Sequence, residues 1–275
     1  MSRYQPRVAF DDRHLAILDC ETISGEEMPD DSFPPWSTHV CVVVSVLTAD
    51  RDFRDEWQFE MTSISFGEDE EPFERLEELL RGRACVTYNG RAFDLPVLSL
   101  MAQSKRNFCL PALSAVACEP RFSDTRHYDL ADKYSRHGAA RGSSLAMLCD
   151  AVGIASKVVA HGDEVGALYD EGKIDEICQY CEGDVASTLL LYAHCRAMEK
   201  GDPTYHAALT SQFVRWIHAQ DHDHLTAFAE IEGLDGLLRQ SLISQIEAAC
   251  RQAQLDEDLQ AKRALDASFT ETTHY

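Results

Sequence analysis

Apolar residues come in short runs over the first hundred positions and in helical stripes after residue 143, so strands are expected first and helices later. Residues 14–20 (HLAILDC) form an apolar run ending in acid, which predicts a buried strand with its functional end at the C-terminus. The 24–38 segment carries three prolines and no period, and predicts a loop longer than most connections, a candidate for function. HVCVVVSVLTA (39–49) is continuous and β-branched, a second strand, and RDEWQFEM (54–61) alternates as a third. EPFERLEELLRG (71–82) has helical spacing and a glycine stop. ACVTY (84–88) is a fourth buried strand, and NGRAFD (89–94) turns into a helix over DLPVLSLMAQS (94–104).

Periodicity weakens between 105 and 142, where HYDLADKYS (127–135) reads as helical and RHGAARG (136–142) as a glycine-bearing loop. Ser143 or Ser144 can cap the helix SLAMLCDAVG, which ends at Gly153. VVAHGDEVGAL (158–168) is a loop leading into a short helix, and KIDEICQYCEGDVASTLLLYAHCRAM (173–198) is one long amphipathic helix. After Gly201 the pattern is helical only, in HAALTSQFVRWIHA (206–219) and LRQSLISQIEAACRQAQ (238–254), and the last dozen residues are expected to fray. Strands followed by interleaved helices predict an α/β or α+β layered fold: a domain over 1–200 and a helical extension over 201–275.

Composition narrows the function classes. No run approaches the roughly 20 apolar residues that span a bilayer, and the N-terminus lacks the apolar core of a signal peptide, so a cytoplasmic protein off the membrane is expected. Most of the ten cysteines sit in apolar stretches as small hydrophobes. Cys178 and Cys181 form the sole CxxC, and the second ligand pair that a zinc site needs is not evident. The net charge of −22 argues against broad, passive attraction to nucleic acid, but not against gripping a short phosphodiester through bound cations.

The candidate chemistry lies in four acids beside apolar runs: Asp19 and Glu21 in LAILDCET, Asp94 in VTYNGRAFDLPVL and Asp184 in QYCEGDVASTLLLY. A buried carboxylate is costly unless it is paired or holds a metal. Oxygen donors favour magnesium or manganese over zinc. Strand period two puts Asp19 and Glu21 on one face with Cys20 on the other, and close carboxylates repel unless a cation lies between them. Tyr180 lies four residues before Asp184 and so shares its helix face. Four such acids can hold two ions about 3.5–4 Å apart, which clamp the attacking and leaving oxygens of a phosphodiester. Plainer readings stand beside this one: Asp19 and Glu21 can end a strand at solvent, Asp94 can cap a helix, Tyr180 can be a core tyrosine, Asn89–Gly90 is a turn signal in itself, and Asp129 and Asp132 read as capping or surface residues.

DxE at the end of a first strand, NGxxFD, and YxxxD on a late helix together resemble the three motifs of the DEDDy 3′–5′ exonucleases, of the ribonuclease H-like, DnaQ-like superfamily. Within it, the chain looks most like the stand-alone exonuclease related to the family-B DNA polymerase proofreading domain, over roughly residues 14–200. The resemblance implies a mixed central sheet flanked by helices, with Asp19, Glu21, Asp94 and Asp184 as ligands of two Mg2+ or Mn2+ ions and Tyr180 as the residue that positions water. The related branch carries histidine five residues before the last aspartate; Gln179 stands there in this chain, which favours the tyrosine branch. By the same resemblance Thr22 and Ile23 lie near the terminal nucleotide, and Asn89 and Phe93 contact sugar-phosphate and base. Arg141, beside a glycine loop, is a candidate phosphate contact.

The expected activity is stepwise hydrolysis from the 3′ end of a single strand, DNA before RNA, releasing 5′-mononucleotides. Three rivals stay open: an exoribonuclease, a non-catalytic nucleic-acid- or partner-binding module, and a structure-specific endonuclease on the same fold. The C-terminal helices are a candidate surface for a protein partner or self-association.

Overall fold

The computed structural model describes residues 10–26, 33–155, 164–220, 222–231 and 233–272, with side chains described as far as residue 262. Five strands form one sheet: β1 (His14–Ser24), β2 (His39–Arg51), β3 (Trp57–Ser65), β4 (Ala84–Thr87) and β5 (His127–Asp129). Their order is β3-β2-β1-β4-β5. The first three make an antiparallel meander, and β4 and β5 add parallel to β1 on its other side. The chain thus reverses direction across the sheet at β1, and such a switch point opens a crevice beyond the carboxyl ends of the parallel strands.

β1 is central because Leu15, Ala16, Ile17 and Leu18 are all fully buried, each face of the strand meeting a separate apolar cluster. One face packs with β4 on helices α1 (Pro72–Leu80), α2 (Asp94–Ser104) and α3 (Pro111–Ala117). The other face packs on α7 (Ile174–Lys200), whose stretch from Val185 to Ala193 is buried throughout. Between these lie the shorter α4 (Leu130–Tyr134), α5 (Leu145–Ala151) and α6 (Val165–Asp170). Gly201 ends α7 in the left-handed region, and Asp202 caps α8 (Pro203–Ala219), so the Gly-Asp-Pro sequence separates two helices by chemistry alone. α8 places Tyr205, Leu209 and Phe213 in the same cluster as Leu15 and Ile17, and a 3-10 turn (Asp223–Ala229) adds Leu225 and Phe228.

The structure departs from the expectations at two points. His127–Asp129, read as helical, is the fifth strand: His127 and Tyr128 are buried beside β4, and only Leu130 onward is helix. α3 lies where no period was visible, because seven residues are too few to show one. The helical region after residue 201 ends in α9 (Leu234–Thr272). Of the loop expected over 158–168, residues 158–163 lie outside the described residues.

Candidate active site

The cleft at the switch point begins with β1. Strand alternation turns Asp19 and Glu21 to one face, while Cys20 packs with Ala16 and Leu18 on the other. Glu21 is 7% exposed and Asp19 is half-buried. The pairing register with β2 shifts between Glu21 and Thr22, and a bulge of this kind re-aims the side chains around it. Cys181 on α7 donates its thiol to the Asp19 carbonyl at 3.3 Å. Ligand atoms of Asp19, Glu21 and Cys181 lie within 4.8 Å of one another. Burial, then the charges of Asp19 and Glu21, push the Cys181 thiol far above its ordinary range, so it stays a protonated donor beside the acids rather than a thiolate ligand.

The loop from Thr87 to Asp94 supplies the third acid. Asn89 has φ 64°, a left-handed conformation that asparagine tolerates. Gly90 is required by space: a Cβ there would lie 2.6 Å from Thr87 Cβ and Oγ1, and Thr87 is itself fully buried and hydrogen-bonded to His127 Nε2 at 2.8 Å. The turn delivers Asp94 to the first position of α2, 5% exposed. Burial pushes its carboxyl up to about 7, and the charges of Asp129 and Asp184 add to this, opposed by the backbone N–H groups of Asp94 itself and of Cys20. Asp94 therefore touches β1 and senses α7, so the three motifs meet here.

Asp129 is what holds this turn. It caps α4, as the sequence led us to expect, through the N–H groups of Ala131 at 2.9 Å and Asp132 at 3.4 Å. It also accepts the N–H of Asn89 at 3.0 Å and of Arg91 at 2.9 Å. The second pair joins the end of β5 to the loop after β4, a contact between residues 40 apart in sequence that no local pattern announces. Arg91 is fixed in turn, donating Nε to Asp132 at 3.1 Å and Nη1 to the Glu119 carbonyl at 2.6 Å.

Tyr180 and Asp184 lie one turn apart on α7, with Tyr180 buried and Asp184 half-buried. Asp19, Glu21, Asp94, Tyr180 and Asp184 all line one open cleft of about 900 Å³, and Asn89 and Phe93 line it as well. Thr22, Ile23 and Arg141 do not. Thr22 Oγ1 bonds His39 Nδ1 at 2.9 Å, Ile23 packs against the cluster containing Tyr180, and Arg141 is exposed on the rim between Ala140 and Gly142. Beside the cleft, Phe33 stacks on His39 with ring centroids 4.8 Å apart and tilts against Phe93 at 5.5 Å. Sequence reasoning singled out Phe93 alone. Phe33, 73% exposed, extends it into an aromatic surface of the kind on which bases stack.

The donor set fits hard divalent cations: carboxylate oxygens from β1, α2 and α7 gathered in one cleft, with one carboxyl so poorly solvated that its ionised form calls for a positive partner.

The family model described as a predicted 3′–5′ exonuclease related to the exonuclease domain of PolB matches residues 31–231. The chain belongs to that family, and its mixed five-stranded sheet with flanking helices is the ribonuclease H-like fold. The matched span contains Asp94, Tyr180 and Asp184 and begins after Asp19 and Glu21. Among solved structures the chain is similar to the family B DNA polymerase from the hyperthermophilic archaeon Pyrobaculum calidifontis, at 16% identity and TM-score 0.45. That similarity covers 84% of this chain and 28% of the polymerase, so the chain spans under a third of its relative. A search of curated proteins gave no match. No helix among the described residues is long and apolar enough to cross a membrane.

Proposed function

We propose that this chain hydrolyses the terminal phosphodiester at the 3′ end of single strands, DNA before RNA, with two divalent ions, Mg2+ or Mn2+, releasing 5′-mononucleotides. The observation that carries the reading is the convergence of Asp19, Glu21, Asp94, Tyr180 and Asp184 on one cleft. The relation of the family to the exonuclease domain of PolB supports DNA as the strand.

In this reading Asp19, Glu21, Asp94 and Asp184 hold the ions, which supply activation of water and neutralise charge on the leaving oxygen. Tyr180 directs its hydroxyl at the attacking water from the Asp184 face of α7. Phe93 supports the terminal base, and Asn89, whose backbone Asp129 fixes, contacts sugar-phosphate. Thr22 and Ile23 shape the wall behind Glu21, and Arg141 reaches phosphate from the rim. Two arginines that line the cleft, Arg91 and Arg121, are engaged by Asp132. The strand is therefore gripped mainly through the ions, and trimming is distributive.

The test is a 5′-labelled single strand incubated with Mn2+ or Mg2+. Asp19→Asn and Asp184→Asn should abolish laddering from the 3′ end, and Tyr180→Phe should slow it about 10²-fold, the low end for a positioned proton-transfer group. Unchanged laddering in the two aspartate variants removes the assignment. An RNA strand of the same length separates the exoribonuclease, and cleavage of a closed circle identifies an endonuclease.

A further inference from the structure

On the side of α7 away from the cleft, Glu182 meets two histidines that arrive from the C-terminal helical region. Its Oε2 lies 2.7 Å from His224 Nε2 and 3.9 Å from His222 Nδ1. One donor atom from each of the three residues lies within 4.8 Å of the others. The side chains of Glu182 and His224 are 12% exposed, and that of His222 is 28% exposed.

We propose that Glu182, His222 and His224 form a zinc site, separate from the catalytic cleft, that clips the chain after α8 onto α7. Zinc takes His nitrogen and carboxylate oxygen at about 2.0–2.2 Å in tetrahedral geometry, which sets neighbouring donors about 3.3 Å apart. The separations of 2.7 and 3.9 Å bracket that spacing. A hydrogen bond accounts for the His224 contact alone, since His222 stands too far off to make one. The ligands are oriented from outside. Ser63 Oγ on β3 donates to Glu182 Oε1 at 2.7 Å, leaving Oε2 for the ion, and Ser63 is tied to Ser45 Oγ at 2.7 Å. The Trp216 ring lies 5.3 Å from that of His222. Such outer contacts hold metal ligands in place. Two imidazoles and one carboxylate select zinc over magnesium, the reverse of the all-oxygen cleft. The sequence hides this set because its ligands are 40 residues apart and only one, Glu182, lies in the CxxC-bearing helix.

The test uses the full untagged chain carrying Asp19→Asn and Asp184→Asn, so that ions in the cleft do not contribute. After chelation and dialysis it is titrated with Zn2+ and, separately, with Co2+. The expected result is one equivalent bound, the visible absorption of tetrahedral cobalt, and a melting temperature raised by zinc. Adding His222→Ala and His224→Ala, or Glu182→Gln alone, should remove all three responses while circular dichroism shows the fold retained. The glutamine variant changes no shape and covers the case in which the double alanine misfolds. No bound equivalent in the parent, or binding that survives Glu182→Gln, overturns the site. Neither outcome bears on trimming at the cleft.

Discussion

Asp129→Asn is the substitution that most directly probes how the cleft is held together. Asp129 is 3% exposed, and its two carboxylate oxygens receive four backbone N–H groups. Oδ2 takes Arg91 alone, while Oδ1 takes Asn89, Ala131 and Asp132. An asparagine oriented to keep the three bonds at Oδ1 turns its NH2 group toward the Arg91 N–H, donor against donor. A hydrogen bond to a charged acceptor contributes about 1.5–3 kcal/mol, and a buried donor left without a partner costs about 1–3 kcal/mol. Removing a buried charge offsets part of that, since burial already pushes the Asp129 carboxyl upward. The net loss should be roughly 1–3 kcal/mol, read as a lower urea midpoint at constant slope. The effect on trimming should be larger than stability alone explains, because the Arg91 N–H anchors the turn that delivers Asp94 to the cleft. A displacement of about 1 Å can cost on the order of 10²-fold in rate. Single-turnover trimming of a labelled strand, under conditions where the variant is folded, should therefore fall at least about tenfold. A folded Asp129→Asn protein trimming within about twofold of the parent would refute the positioning role, since the lost bond would then be shown not to matter to the site.

Gly90→Ala should destabilise by about 1–3 kcal/mol, the usual cost of overpacking, because the new methyl meets the rigid, buried Thr87 side chain at 2.6 Å; an unchanged midpoint would show that the strand end can move aside. Asp94 should take stability from the chelated protein as pH rises from about 4 to about 7, read as the difference between the parent and Asp94→Asn; His127 and His206, which burial holds below the ordinary imidazole range, act in the opposite sense on both proteins and cancel in that difference. Asp94, raised to about 7 by burial and then by the charges of Asp129 and Asp184, keeps a proton in the folded chain that the unfolded chain has released, so its contribution is complete below the ordinary carboxylate range and lost through its folded value. Mn2+ should then raise the melting temperature more at about pH 7.5 than at about pH 5, and an equal rise at both would argue against Asp94 as a ligand. Phe213→Ala should cost about 3–5 kcal/mol, because Phe213 is fully buried among residues of β1 and α7; a loss near zero would show that α8 is dispensable to the core.

The sequence determined the parts that depend on local spacing. Period two placed Asp19 and Glu21 on one face of β1, helical period placed Tyr180 on the face of Asp184, and Gly201–Pro203 separated α7 from α8. Motif order was enough to reach the exonuclease family and its fold. Tertiary structure alone decided what depends on distant segments. His127–Asp129 became a strand because β4 offered an open edge and an apolar neighbour, which overrode a helical local pattern. Asp129 became an anchor because β5 ends beside the Asn89 turn, and a carboxylate can accept from two segments at once. Phe33 joined Phe93 through a loop whose composition predicted no partner, and His222 and His224 reached Glu182 only because the chain after α8 folds back on α7. Periodicity records which side of an element meets the core, whereas the convergence of side chains from separate elements is set by how those elements pack.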